Sequence, residues 1–258
     1  VEKTLGMTDL PLLSEPNLQQ QLVEIGYQGK KLEELEGLSA TEKAKMLFIV
    51  QDPYTSYYDA KVVRDFVALT QKLGFKPIIL PFKPNGKAMH IKGFLARFSK
   101  TAKTQAEFLN RVAKLNVPLV GVDSAIVLSY RDEYKEALGD SRGDFHVLTA
   151  HEWLTNQLDS NTLQSTVKNI AKSDRAFEWH LFPHCAESTF MPNSPKEWQH
   201  IFVQFGQTLK VEKVGCCGMA GVFGHEVQNQ TMSKDIYDVS WGKKLQGKDP
   251  NHCLATGY

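Results

Sequence analysis

The sequence predicts an α/β protein of two tandem, pseudo-repeated units, each with a parallel sheet and with ligand loops at the C-terminal ends of its strands. Three observations carry this. Short apolar runs of strand length alternate with longer stretches of helical period, the pattern of parallel strands joined by right-handed crossovers. The plan then recurs, with a turn after the first strand of each half and a glycine-ended loop after the second, as an internal duplication predicts. Finally, the four cysteines gather in the last third, at 185, 216, 217 and 253.

Residues 1–44 mix Pro11, Pro16 and the run Gln19-Gln20-Gln21 with charged residues, and read as a linker with one short helix near Lys31–Leu38. The first unit, 45–150, opens with Leu47-Phe48-Ile49-Val50, an apolar run suited to a buried parallel strand and ended by the turn signal Asp52-Pro53. Val62, Val63, Phe66, Val67, Leu69 and Leu73 then mark one face of a helix closed by Gly74. A second strand is expected at Pro77–Pro81 and a third at Val117–Val122, separated by helices at about 88–98 and 104–115. A helix over 125–138 and a strand near Phe145–Leu148 complete the unit.

The second unit, 151–258, repeats the scheme. Helical segments run to about residue 172, a strand covers Phe177–Phe182 and ends at Pro183-His184-Cys185, and a helix follows over 195–206. A strand near Leu209–Val214 leads into Gly215-Cys216-Cys217-Gly218, where a helix is expected to begin near Gly218, and a long helical segment is expected from about 226 to 245. With Asp52 laid on Cys185, Gly86 falls within one residue of Gly218, and the first copy carries Asp52 and Pro84-Asn85 where the second has cysteines.

Bulk properties narrow the function. A net charge of +1 and a pI near 7.8 supply no broad phosphate-binding field, which argues against nucleic acid as a partner. No apolar run has the length of a membrane span and no secretory leader is evident, so a cytoplasmic location is expected. The start at Val1 and the stop after Leu254-Ala255-Thr256-Gly257 read as a piece of something longer.

The chemistry concentrates in the cysteines. Loops after the strands of an open parallel sheet gather along one edge, which is expected to bring together Cys185, Cys216 and Cys217, with Cys253 returning to the same edge after the long helical segment. Three or four thiolates suit an iron-sulfur cluster or a structural zinc. Zinc sites usually carry Cys-x(2-4)-Cys pairs, which are missing, and adjacent cysteines suit a cluster large enough to be met from two directions. Gly218 permits the close backbone approach such a corner needs. His184, His225 and His252 lie near these cysteines as possible ligands or donors to cluster sulfur. His225-Glu226 lacks the second histidine of a zinc-protease helix. Arg131, in Tyr130-Arg131-Asp132-Glu133-Tyr134, reads first as a salt-bridge partner. Lys83, Lys87, His90, Lys92 and Arg97 form a basic strip suited either to a neighbouring domain or an anionic acceptor, or to ordinary surface.

The spacing of Cys185, Cys216-Cys217-Gly218 and Cys253 resembles the cysteine-rich CCG domain of heterodisulfide reductase and glycolate oxidase iron-sulfur subunits, a family that carries its motif twice. Four stretches, Val50-Gln51-Asp52-Pro53-Tyr54-Thr55-Ser56-Tyr57-Tyr58-Asp59, Asn85-Gly86-Lys87-Ala88-Met89-His90-Ile91-Lys92-Gly93-Phe94-Leu95, Tyr130-Arg131-Asp132-Glu133-Tyr134 and Gly215–Gly221, are similar to the C-terminal third of large bacterial FAD-linked oxidases. The resemblance runs from about residue 45 to the end. It implies that Cys185, Cys216, Cys217 and Cys253 hold an iron-sulfur cluster of the 4Fe-4S type, and that an upstream domain of the same polypeptide binds FAD. The implied activity is oxidation of a D-2-hydroxyacid, with D-2-hydroxyglutarate the first substrate to test and the electron acceptor unspecified. It also implies a further cysteine a few residues past Tyr258. A zinc-stapled structural domain and a metal-free docking module are the alternatives.

Overall fold

The computed structural model describes residues 6–160, 163–171 and 176–257. The fold is α/β with two parallel sheets, as the sequence predicts. The chain divides into two compact units, one of Leu13–Trp153 and one of Leu154 onward together with the N-terminal segment through Leu12.

In the Leu13–Trp153 unit the sheet order is β2-β1-β3-β4, with β1 Met46–Val50, β2 Lys76–Ile79, β3 Leu119–Gly121 and β4 Val147–Thr149, all parallel. Every residue of β1 is buried, which explains its unbroken apolar run: helices cover both faces of the strand. Helix Ala60–Lys72 buries Ala60, Val63, Phe66, Val67 and Thr70, spacings of three and four that place them on one face. The predicted break between two helices after residue 98 lies instead at Gly93, between Lys87–Ile91 and Leu95–Ala113. The physical reason is that Phe98, Ala102, Gln105, Ala106 and Leu109 keep helical period without interruption, whereas Gly93 has a φ of 75° that ends a helix. The predicted 125–138 helix is two, Ser124–Arg131 and Glu133–Leu138, parted at Asp132. Arg131 is structural: it grips Glu152 with two nitrogens and donates to the Val147 carbonyl at 2.7 Å.

Residues 13–44 are packed against this unit rather than serving as a linker. Asn17 and Gln20 form a reciprocal capping box that starts helix Leu18–Glu24, and Ser39 with Glu42 does the same for Ala40–Lys43. Leu18, Leu22 and Leu35 are buried. The helix expected at Lys31–Leu38 is one short 3-10 turn, Leu32–Leu35.

The second unit has the order β6-β5-β7, with β5 Glu178–Phe182, β6 Thr208–Val211 and β7 Cys253–Ala255, again parallel. Helix Cys185–Phe190 and strand β7 are additions to the sequence reading, both short. The helix expected at Gly218 is absent: the loop continues through 3-10 turns at Phe223–His225 and Val227–Asn229, and helix begins at Gln230, running with one π turn to Leu245.

The first three strands of each unit share one arrangement, with the first strand central. Val50 corresponds to Phe182 and Ile79 to Val211, a constant offset of 132 residues. On this register Asp52 corresponds to His184 and Pro53 to Cys185, so laying Asp52 on Cys185 is one residue out. Pro84-Asn85-Gly86 corresponds to Cys216-Cys217-Gly218, and the two glycines share a left-handed backbone, with φ of 81° and 87°.

Candidate metal centre

The site forms where β5 and β6 end. Beyond Phe182 the chain turns through Pro183 and His184, and the His184 ring caps the short helix that Cys185 opens: its Nδ1 accepts the Ala186 amide at 3.2 Å, which leaves the ring proton on Nε2. That helix is anchored from beneath by Glu187, fully buried, whose Oε1 accepts the Ser194 hydroxyl and the Trp198 indole N–H, the latter at 3.0 Å. Cys185 is thereby held at the surface on a fixed turn.

The second loop is fixed by different means. The Gly215 amide donates to Ser240 Oγ at 2.6 Å and Trp241 Nε1 donates to the Gly215 carbonyl at 3.1 Å, tying the start of the loop to the helical segment behind it. The Gly218 amide turns back and donates to Cys216 Sγ at 3.3 Å. Glycine is required at 218 because a Cβ there would stand 2.3 Å from the Ser233 carbonyl oxygen, and because the backbone is left-handed. Cys216 is exposed and Cys217 half-buried.

Cys185, Cys216 and Cys217 stand close enough to share a field. Burial pushes the Cys185 thiol up, and the Cys216 and Cys217 thiols push it further. An uncompensated group of thiols repels its own ionisation, so thiolates form there most readily with a cation between them. Among the described residues, no three His, Cys, Asp or Glu side chains converge tightly enough for a single ion. The Gly218 N–H aimed at Cys216 Sγ adds a hydrogen-bond donor to this group of thiols. An open cleft of about 500 Å³ adjoins Cys217, lined by Met219, Ser233, Tyr237, Trp241 and Gly257 among others.

The remaining candidate residues lie elsewhere in the unit. Cys253 opens β7, paired in register with His180 in the middle of β5, and its thiol faces the Asp249 carbonyl at 3.4 Å. His252 packs its ring on Phe177 and Trp179, at centroid distances of 4.9 and 5.2 Å, at the start of β5. His252 is at the N-terminal end of β5 and Cys253 beside its middle, whereas Cys185 follows its C-terminal end. The reason is topological: a strand parallel to β5 must be entered from its N-terminal end, so the residue that opens it cannot also stand at the loop edge. His225 lies in the 3-10 turn Phe223–His225, where its Nδ1 meets the Thr8 carbonyl at 3.2 Å and so ties down the N-terminal segment.

Sequence reasoning missed the segment that does reach the site. Past the end of β7, Thr256 Oγ1 accepts the His184 amide at 2.9 Å, and Gly257 lies so near the His184 ring that a Cβ would fall 2.7 Å from it. It also missed the staple at Glu212, buried behind β6, which joins His180 Nδ1 at 2.9 Å and Lys248 Nζ at 3.0 Å. Only the tertiary pairing of strands reveals either.

The chain is 81% identical over 258 residues to a D-2-hydroxyglutarate dehydrogenase of Haemophilus influenzae, 55% over 257 residues to that of Escherichia coli, and 35% over 254 residues to that of Pseudomonas putida. It resembles part of a D-2-hydroxyglutarate dehydrogenase. The match covers 98 to 100% of this chain but only 24 or 25% of each D-2-hydroxyglutarate dehydrogenase, so the chain spans about a quarter of the length of these relatives. No family profile matches the chain, and neither does a solved structure.

The corresponding corner of the Leu13–Trp153 unit has no thiol. Asp52 takes the capping role of His184, its Oδ1 accepting the Tyr54 and Thr55 amides at 2.8 and 2.9 Å. It is buried near Asp123, which follows β3, and burial first, then Asp123, pushes its carboxyl up to about 6. Asn85 is buried, with its carbonyl oxygen accepting the Tyr134 hydroxyl at 2.7 Å.

Proposed function

We propose that this chain is the iron-sulfur, electron-relaying portion of an FAD-dependent D-2-hydroxyacid dehydrogenase, whose complete form oxidises D-2-hydroxyglutarate to 2-oxoglutarate. The observation that carries the reading is the placement of Cys185 just past the end of β5 and of Cys216 and Cys217 in the loop after its parallel neighbour β6, in a chain 81% identical to a quarter of a D-2-hydroxyglutarate dehydrogenase. Oxidation of the hydroxyl to a carbonyl releases two electrons and two protons; the FAD, in the upstream part of the polypeptide, is the acceptor of the hydride. A bound cluster supplies one-electron transfer between that flavin and a further acceptor.

This chain's own residues hold and tune the centre. Cys185, Cys216 and Cys217 serve as thiolate ligands, Gly218 N–H lowers the charge on the Cys216 sulfur, and His184 and Glu187 fix the turn that presents Cys185. Cys253, predicted as the fourth ligand, stands at the far end of its strand and is assigned a packing role. Thr256 and Gly257 touch His184 and so bring the C-terminal segment alongside the turn that carries Cys185. In this reading the Leu13–Trp153 unit is the second copy of the same fold, kept as scaffold with Pro53, Pro84 and Asn85 in place of ligands.

Iron and acid-labile sulfide, measured on the full-length protein assembled anaerobically, are expected in equal amounts at several atoms per chain. A protein with stoichiometric zinc and no sulfide contradicts the proposal and returns the site to a structural staple.

A further inference from the structure

Charge is distributed along this chain far less evenly than its total of +1 implies. From Phe66 to Ala106 there are eight lysines and arginines and no aspartate or glutamate, and six of the eight fall between Lys83 and Lys103. The rest of the chain is correspondingly acidic. Within the basic stretch, the seven consecutive residues from Ile91 to Arg97 are all exposed. They form the reversal between helices Lys87–Ile91 and Leu95–Ala113, turned by Gly93 at a φ of 75°.

The tip of this reversal is apolar. Ile91, Phe94 and Leu95 are 45%, 55% and 59% exposed, all within this one exposed turn. Cations flank them: Lys92 at the turn, Arg97 over the Phe94 ring at 5.7 Å, then Lys100 and Lys103, both exposed, one and two turns along the second helix. Lys87 and Lys83 are engaged nearby, with Glu133 and with the Phe108 ring.

We propose that this tip binds the surface of an anionic phospholipid membrane, with Ile91, Phe94 and Leu95 entering the interfacial layer and Lys92, Arg97, Lys100 and Lys103 meeting lipid phosphates. Two features select a lipid surface over a protein partner. Three large apolar side chains on an exposed turn are far short of the 20 to 30 residues that each side of a standard protein interface contributes, whereas insertion of a few apolar groups with several flanking cations suffices at a headgroup layer. The charge is also wholly one-sided, matching a surface that presents only anions.

The test uses the full-length protein and sedimentation with vesicles of phosphatidylglycerol and phosphatidylcholine mixed, against phosphatidylcholine alone. The expected result is binding to the anionic vesicles alone, falling steeply with added sodium chloride. Binding should weaken about fivefold for each cation removed, as in Arg97→Gln and Lys100→Gln, and at least as much in the double variant Phe94→Ser, Leu95→Ser. Amine acetylation of Lys100 and Lys103 in the full-length protein, read by mass spectrometry, should proceed freely without vesicles and be suppressed with them. The proposal is overturned by absence of binding at low salt, by binding that the variants leave unchanged, by binding to polyglutamate with none to vesicles, or by protection of both lysines without vesicles, which would make the tip an internal interface of the complete chain.

Discussion

Gly218 illustrates how much a single missing Cβ decides. Its amide reaches Cys216 Sγ only because the backbone is left-handed and the Ser233 carbonyl can come close. Gly218→Ala should destabilise its unit by about 2 kcal/mol or more, and Gly86→Ala by less, since a Cβ there meets the Phe98 side chain at 2.9 Å rather than a backbone oxygen at 2.3 Å. Denaturant midpoints of the two variants check this; equal losses would contradict it. Asp52 supplies a pH signature. Because its folded carboxyl holds a proton to about 6, above the unfolded value of about 4, its contribution favours the fold at low pH and is lost as pH rises through 6. Asp52→Asn keeps an oxygen for the Tyr54 and Thr55 amides, so its melting temperature relative to wild type should climb between pH 4 and pH 7. Parallel curves for variant and wild type would rule this out. Both glycines were visible in the sequence as loop punctuation, but Asp123, the neighbour that raises Asp52, was not: the two lie 71 residues apart and meet only because β1 and β3 pair.

At the scale of elements, legibility followed length and apolar density. Met46–Val50 and the helices around Phe66 and Leu109 were evident because their buried faces repeat several times. Cys253–Ala255 was not, since three residues, two half-buried and one exposed, carry no period. Cys253→Ser should therefore leave iron content of the full-length protein unchanged, whereas Cys185→Ser, Cys216→Ser and Cys217→Ser should each lower it; loss of iron in Cys253→Ser would reinstate the four-cysteine set. The helical cover of the first sheet is tested at Trp153, fully buried with Phe66 and Phe75 edge-on at 6.0 and 4.9 Å. Trp153→Ala should cost about 3–5 kcal/mol, measured by equilibrium unfolding, against less than about 0.5 kcal/mol for Val239→Ala on the exposed π turn.

For the molecule as a whole, an offset of 132 residues relates the first two strands of two units of unlike chemistry. The same loop that presents Cys216 and Cys217 in one carries Pro84 and Asn85 in the other, and the turn that presents Cys185 carries Pro53. Fold class was legible because strand runs are local signals. The position of Cys253 was not, because it depends on which end of a parallel strand a residue occupies. No described helix is long and apolar enough to cross a membrane. The central claim is tested most directly by electron paramagnetic resonance of the full-length enzyme after anaerobic addition of D-2-hydroxyglutarate. The account predicts a reduced iron-sulfur signal that disappears in Cys217→Ser while substrate still bleaches the flavin. A flavin that bleaches in the wild-type enzyme with no iron-sulfur signal, before or after chemical reduction, would contradict it.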